Sequence, residues 1–89
     1  MRYTVHFSGQ VQGVGFRYTT QHIARRYAVS GFVQNLSNGS VRVVAEGEPD
    51  QVEAFVQDVA QSMHTCVREQ TTQTSAATGE FTDGFQVRF

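Results

Sequence analysis

The 89-residue chain lacks tryptophan, has one proline and one cysteine, and carries a formal net charge of only -1. The single Cys66 excludes an intrachain disulfide and a thiolate metal cluster, and we expect it to be a half-buried thiol on a strand. A pI near 6.2 argues against general nucleic-acid binding, which needs a basic surface. No apolar run approaches the roughly 20 residues of a membrane span.

The length suits one domain spanning residues 1–89, with no linker and no internal repeat. Seven phenylalanines indicate that aromatic packing compensates for a small core. The first residues, MRYTVHFSG, alternate like a strand and lack the apolar core of a signal peptide. We therefore expect a cytoplasmic protein.

The first part of the chain predicts a strand, a glycine-rich loop and a helix. Apolar and polar residues alternate from Arg2 to Ser8, which is typical of a strand with one buried face. The loop GQVQGVGFR, from Gly9 to Arg17, has three glycines within seven residues. A stripe at helical spacing follows, and Gly31 marks the expected exit from that helix. The stripe consists of Phe16, Thr20, Ile23 and Tyr27.

The remaining chain predicts a hairpin, a second helix and two strands. Asn38 and Gly39 lie between GFVQNL and SVRVVAEG, which is a strong hairpin signal. A helix begins at Pro49, and we expect a fourth strand over 64–70, a polar loop over 71–84 and a last strand over 85–89. The apolar stripe of the second helix consists of Val52, Phe55, Val56, Val59 and Met63.

This β-α-β-β-α-β order, with an extra short C-terminal strand, predicts an α+β protein with a ferredoxin-like two-layer α/β sandwich. The handedness of the crossovers favours an antiparallel sheet in the order 4-1-3-2. The docking of the last strand does not follow from the sequence. Enzymes, RNA binders, metal carriers and regulatory modules all use this fold, so the fold alone does not decide the function.

The glycine-rich loop favours an anion site or a tight structural turn. It lacks the Gly-Lys-Ser/Thr of a P-loop and the third glycine of a dinucleotide-binding motif. Amides in such a turn can form an anion-binding concavity, and the helix N-terminus behind them adds free N–H groups. Arg17 would add a planar fork that matches two phosphate or carboxylate oxygens. A structural connection with a surface arginine explains the stretch equally well.

Asn35 lies in the second predicted strand, on the same face as Val33, where an amide is unusual. It either caps the turn at the strand end or orients a water molecule against a bound phosphoryl group. In the predicted sandwich, strands 1 and 2 run parallel with strand 3 between them. Since the glycine loop and Asn35 both follow C-terminal strand ends, we expect them at one end of the sheet.

GQVQGVGFR and GFVQNLSNGSV together resemble the acylphosphatase family, which hydrolyses carboxyl-phosphate anhydrides. The resemblance spans nearly the whole chain, including VVAEG and the closing GFQVRF. It implies that Arg17 is a catalytic, phosphate-binding arginine and that Asn35 positions the attacking water. It also implies that Thr20 supports the site and that backbone amides cradle the phosphate. These amides belong to Gln12, Gly13, Val14, Gly15 and Phe16.

The resemblance further implies a small acyl phosphate as substrate, inorganic phosphate as a product and no cofactor. We expect a monomer without a nucleic-acid or membrane partner. An acyl phosphate has a good leaving group, which fits the lack of an evident catalytic base, nucleophile or metal set; the three histidines form no metal-ligand pattern. Two positions depart from the family, because Phe32 replaces a common tryptophan and Gly15 a commonly larger residue.

Other readings of the same fold remain open. The main alternative is a non-catalytic anion-binding or interaction module. An RNA-recognition module is disfavoured because the third strand, Ser40 to Gly47, has no aromatic residue to stack bases. An acylphosphatase-like domain serving a carbamoyl-transfer protein would have to act alone here.

Overall fold

A computed structural model describes residues 1–89 as two helices packed on one face of a five-stranded sheet. The sheet order β4-β1-β3-β2-β5 contains the predicted order 4-1-3-2, which confirms the ferredoxin-like sandwich. The elements are β1 (Arg2–Gly9), α1 (Phe16–Ala24), β2 (Val29–Asn35), β3 (Val41–Gly47), α2 (Pro49–Ser62), β4 (Val67–Ser75) and β5 (Phe85–Arg88).

The core forms where the apolar face of the central strands meets the helices. Val5 and Phe7 of β1 are fully buried and stand opposite Val43 and Val41 of β3. The Phe7 ring lies 5.2 Å from the ring of Phe16, at the start of α1. Burying one such side chain stabilises the fold by about 1.5–3 kcal/mol. All five residues predicted for the stripe of the second helix are buried, and four of them lie in α2, whereas Met63 is its C-cap residue.

The predicted end of the first helix is wrong. Tyr27 lies beyond α1, although its ring still packs 6.0 Å from that of Phe55. Gly31 lies inside β2 with φ +146°, where an added Cβ would approach the carbonyl oxygen of Val44 to 1.8 Å. The close approach of β2 to β3 therefore requires this glycine, not a helix end.

The fourth strand is displaced along the chain from the predicted 64–70. Cys66 is half-buried, as expected, but it lies in the turn before β4. Thr71 to Ser75, predicted as loop, belong to β4 and pair with β1. Every residue of β4 after Val67 is exposed, because this edge strand is held by its backbone ladder. A strand without a buried face shows no alternation in the sequence.

The last strand docks at the opposite edge of the sheet. β5 runs parallel to β2, with Gly31 opposite Phe85 and Gln34 opposite Arg88. The ring of Phe85 packs 5.2 Å from Phe55 of α2. This docking brings the end of the chain to the start of α1. Neither helix is long and apolar enough to cross a membrane.

The segment between β4 and β5 is anchored to a buried carboxylate. Glu46 is only 5% exposed and accepts hydrogen bonds at 3.0 Å from Thr78 N, Thr78 Oγ1 and Gly79 N. Arg2 Nε lies 3.0 Å from Glu46 Oε2, an ion pair without hydrogen-bond geometry. Burial raises the pKa of Glu46, but the hydrogen bonds from Thr78 and Gly79 and the Arg2 charge outweigh it, so the pKa lies below its usual 4.5.

Candidate active site

The loop after β1 exposes a run of backbone amides. Gly13 and Gly15 both adopt φ +78°, a region that costs other residues about 1–2 kcal/mol. Gly15 is also the N-cap of α1 and supplies no side chain to the first-turn amides. The N–H groups from Gln12 to Tyr18 donate to no protein acceptor. Free amides at the start of a helix are well suited to bind an anion.

The side chain of Gln12 fastens this loop to the β2–β3 hairpin. Its Nε2 donates to the carbonyl oxygen of Leu36 at 2.8 Å and to that of Ser40 at 3.0 Å. Both acceptors follow Asn35 closely in the chain. The loop is therefore held against the C-terminal end of β2, and the structure brings it together with Asn35 as the topology predicts.

A cavity of about 120 Å³ lies between the loop, the start of α1 and the end of β2. It is lined by Val11, Gly13, Gly15, Phe16, Arg17, Tyr18 and Asn35. No histidine, carboxylate or thiol is among these residues. The cavity thus offers amide donors, one guanidinium, one side-chain amide and the phenol of Tyr18, and its lining has no imidazole, carboxylate or thiol to act as nucleophile or general base.

Arg17 lines the cavity without a carboxylate partner. The three ion pairs of the protein involve Arg2 and Arg26 only. The Arg17 guanidinium instead donates from Nη1 to the carbonyl oxygen of Arg88 at 3.4 Å and lies 4.6 Å from the centre of the Phe89 ring. These contacts orient the guanidinium and leave its charge uncompensated. Sequence reasoning missed them because they depend on where β5 docks.

Asn35 lines the same cavity, and its side chain carries a buried acceptor. Its Oδ1 is buried, and no protein group donates to it. The turn is closed by a different residue, Asn38, whose Oδ1 accepts from Ser40 N at 3.0 Å. The capping interpretation of Asn35 is therefore wrong. Because buried polar atoms in proteins are nearly always hydrogen-bonded, this oxygen calls for a functional explanation.

Three residues expected at the site do not line the cavity. Gln12 acts on the hairpin through its side chain, and Val14 is half-exposed between the two glycines. Thr20 is fully buried and donates from Oγ1 to the carbonyl oxygen of Phe16 at 2.8 Å, inside α1. Thr20 therefore contacts the first turn of the helix that carries Arg17, and no contact with the cavity is present.

The two departures from the family pattern differ in their relation to the cavity. An added Cβ at Gly15 would meet no atom within 4 Å, so a larger side chain has room there despite the unfavourable φ. Phe32 does not line the cavity, and its ring lies 3.8 Å from the guanidinium of Arg88.

Tyr18, which sequence reasoning missed, does line the cavity. Its position directly after Arg17, on the first helical turn, is the signal that could have found it.

A second cavity of about 390 Å³ lies between α1 and β5 and contains none of the expected site residues. It is lined by Gln21, Ala24, Arg25, Tyr27, Val29 and Phe85. Nowhere in the chain do three or more His, Cys, Asp or Glu side chains come close enough to hold one metal ion. The smaller cavity is therefore the one that gathers the candidate chemistry.

Fold and cavity together define a ferredoxin-like sandwich with an amide- and arginine-lined site. The family description "Acylphosphatase" matches residues 3–87. The chain is 39% identical over 87 residues to an acylphosphatase of Salinibacter ruber, covering 98% of this chain and 92% of that protein. It is 40% identical over 67 residues to an acylphosphatase of Methanospirillum hungatei, covering 75% and 74% of the two chains.

Comparison with solved structures also finds an acylphosphatase. The crystal structure of acylphosphatase from Bacillus subtilis superposes with a TM-score of 0.89 at 30% identity, covering 99% of this chain and 98% of that one. The match to the family over residues 3–87 includes both the glycine loop and the strand that carries Asn35. The chain belongs to the acylphosphatase family.

Proposed function

We propose that this protein hydrolyses the carboxyl-phosphate bond of small acyl phosphates to a carboxylate and inorganic phosphate. One observation carries the proposal: loop residues with free amides, Arg17 without a carboxylate partner and Asn35, whose buried Oδ1 has no protein donor, all line one cavity. Membership of the acylphosphatase family supports the same reaction.

The phosphoryl group binds to the loop and to Arg17. Amides of the segment Gln12 to Phe16, of which Gly13, Gly15 and Phe16 line the cavity, donate to its oxygens, and the Arg17 fork neutralises its charge. The contacts of Arg17 with Arg88 and Phe89 hold the guanidinium in place before substrate binds. These donors stabilise the transition state because charge redistributes over the phosphoryl oxygens while the donors stay fixed. Thr20 supports this arrangement by bonding to the first turn of α1.

Asn35 positions the water that attacks phosphorus. Its Oδ1 accepts a hydrogen bond from that water, so the lone pair of the water is directed at the phosphoryl group. The new bond joins the water oxygen to phosphorus, and the bond between phosphorus and the acyl oxygen breaks. A phosphoryl oxygen of the substrate accepts the proton of the water.

The chemistry of the leaving group explains why hydrolysis in this cavity needs no general acid or general base from the protein. A carboxylate is stable without a proton, so no general acid is required, and the substrate supplies the proton acceptor. This agrees with a cavity whose lining has no histidine or carboxylate. The proposed mechanism assigns no step to a metal ion or an organic cofactor.

We further propose that the protein acts as a cytoplasmic monomer on a small molecule, without a nucleic-acid partner. Only four large hydrophobic side chains are exposed, which is too few for an extensive apolar interface. The pI near 6.2 also disfavours a polyanionic partner.

Hydrolysis of benzoyl phosphate by the purified chain, with and without EDTA, tests the function. We expect hydrolysis well above the spontaneous rate, insensitive to EDTA and competitively inhibited by inorganic phosphate. The Arg17→Ala variant, purified identically, controls for contaminating phosphatases. If inorganic phosphate binds but benzoyl phosphate is not hydrolysed, the protein is a non-catalytic anion-binding module on the same fold. Loss of activity with EDTA contradicts the metal-free mechanism.

A further inference from the structure

The cavity is much smaller than a pocket that encloses a whole drug-sized ligand. Its volume is about 120 Å³, whereas pockets that enclose drug-sized ligands measure about 300–1,000 Å³. If the phosphoryl group occupies the loop and Arg17, as the proposed function requires, the acyl substituent lies across the mouth of the cavity. The side chains at the mouth then decide which acyl groups bind well.

Three of the four large exposed hydrophobic side chains of this protein belong to residues that line the cavity, or that adjoin or contact a lining residue. Four large ones are exposed in the whole chain: Met1, Val14, Tyr18 and Phe89 at 41%, 47%, 58% and 85%. Tyr18 lines the cavity, Val14 lies between its two lining glycines, and Phe89 stacks on Arg17. Met1 lies at the start of β1, at the other end of that strand from the loop. Clustered exposed apolar groups commonly mark a binding surface.

Tyr18 is not part of the buried face of α1 or of an aromatic cluster. The buried residues of α1 are Phe16, Thr20, Ile23 and Ala24, and Tyr18 lies on the exposed side of the helix. The Tyr18 side chain forms none of the aromatic ring pairs of the protein, which involve other phenylalanine and tyrosine rings. An exposed aromatic ring that lines a cavity and forms no ring pair within the protein can stack on a ligand.

We propose that Tyr18, together with Val14 and Phe89, forms an acyl-binding rim that favours aromatic and other apolar acyl groups over small ones. This proposal rests on the proposed hydrolysis of acyl phosphates. The Tyr18 ring covers one side of the acyl group, while Val14 and Phe89 limit its contact with water. Tyr18 is a specificity-determining residue in this scheme, and the chemical step itself is carried by Arg17, the loop amides and Asn35.

The test compares benzoyl phosphate with acetyl phosphate in the wild type and in Tyr18→Ala, Tyr18→Phe and His22→Ala. His22 is an exposed control on the same helix that does not line the cavity. The readout is the ratio of kcat/KM for the two substrates, relative to the wild-type ratio. The different intrinsic reactivities of the two anhydrides cancel in this comparison.

We expect Tyr18→Ala to lower the ratio about tenfold, mainly through a higher KM for benzoyl phosphate, as for loss of an apolar substrate contact. Tyr18→Phe retains the ring and should retain the ratio, and His22→Ala should also leave it unchanged. If the wild type is active and Tyr18→Ala keeps the wild-type ratio, the acyl-binding rim is wrong and the proposed function stands. If Tyr18→Phe lowers the ratio as much as Tyr18→Ala, the ring is not the determinant. If the wild type hydrolyses neither substrate, the proposed function fails and the rim fails with it.

Discussion

Replacing Asn35 by alanine should separate activity from stability. Replacing a residue that holds the fold together would lower both the activity and the free energy of unfolding. Asn35 Oδ1 is buried and receives no hydrogen bond from the protein. An unsatisfied buried polar group costs about 1–3 kcal/mol, and Asn35→Ala removes that cost while losing some packing. We therefore expect the free energy of unfolding to change by no more than about 1 kcal/mol.

The activity of the same variant should fall steeply. Loss of one preorganised polar group in an active site lowers kcat by about 10²–10³-fold, equivalent to roughly 2.7–4 kcal/mol. Since Asn35 contacts the water and Arg17 holds the phosphate, the affinity for inorganic phosphate should change much less than kcat. Steady-state hydrolysis of benzoyl phosphate, inhibition by phosphate and urea unfolding measure the three quantities on one preparation.

Asn38 supplies a matched control a few residues further along the chain. Its Oδ1 accepts two hydrogen bonds, from Ser40 N at 3.0 Å and Ser40 Oγ at 2.6 Å. Asn38→Ala should lower the free energy of unfolding by about 1–2 kcal/mol, because two hydrogen bonds are lost at an exposed turn. Its kcat should stay at the wild-type level below the unfolding transition. Wild-type kcat in Asn35→Ala, or a stability loss in that variant equal to that of Asn38→Ala, would refute the reasoning.

Two further substitutions test the anion site and the buried carboxylate. Arg17→Ala should lower both kcat/KM and the affinity for inorganic phosphate, with the rate reduced by at least about 10²-fold. Calorimetric titration with inorganic phosphate measures the loss of affinity directly. An unchanged affinity would exclude Arg17 from the anion site. Glu46→Gln should destabilise the protein by about 3 kcal/mol at neutral pH, because a carboxylate paired with Arg2 and Thr78 is lost. Since the pKa of Glu46 is lowered, its contribution is present above pH 4.5 and disappears as the pH falls through the folded-state value. The melting temperatures of the wild type and Glu46→Gln should therefore differ at neutral pH and converge in acid. A constant difference across that pH range would contradict the stabilising role of the Glu46 carboxylate.

The expected end-of-sheet location of the candidate site follows from topology. The Asn-Gly hairpin signal makes β2 and β3 antiparallel, and the β-α-β order of the predicted sandwich makes β1 and β2 parallel. Two parallel strands with a third between them bring the glycine loop and Asn35 to one end of the sheet. The arrangement needs no side-chain detail, so a local pattern is enough to predict it.

Other parts of the structure depend on contacts distant in sequence. β4 has no buried face beyond Val67, so its polar residues gave no strand signal. β5 is a four-residue strand that pairs with β2, and its Phe85 packs on Phe55 of α2, a residue 30 positions earlier in the sequence. The contacts of Arg17 with Arg88 and Phe89 follow from that docking. The two bonds from Gln12 to the hairpin likewise join residues 24 and 28 positions apart.

The central claim is that water, held by Asn35, attacks a phosphorus atom held by Arg17 and the loop amides. Hydrolysis of benzoyl phosphate in oxygen-18-labelled water, followed by mass spectrometry of both products, tests this claim directly. The account predicts that the label from water appears in inorganic phosphate and that the benzoate is unlabelled. Label in the benzoate would mean that water attacks the carbonyl carbon, and the proposed roles of Asn35 and Arg17 would then be wrong.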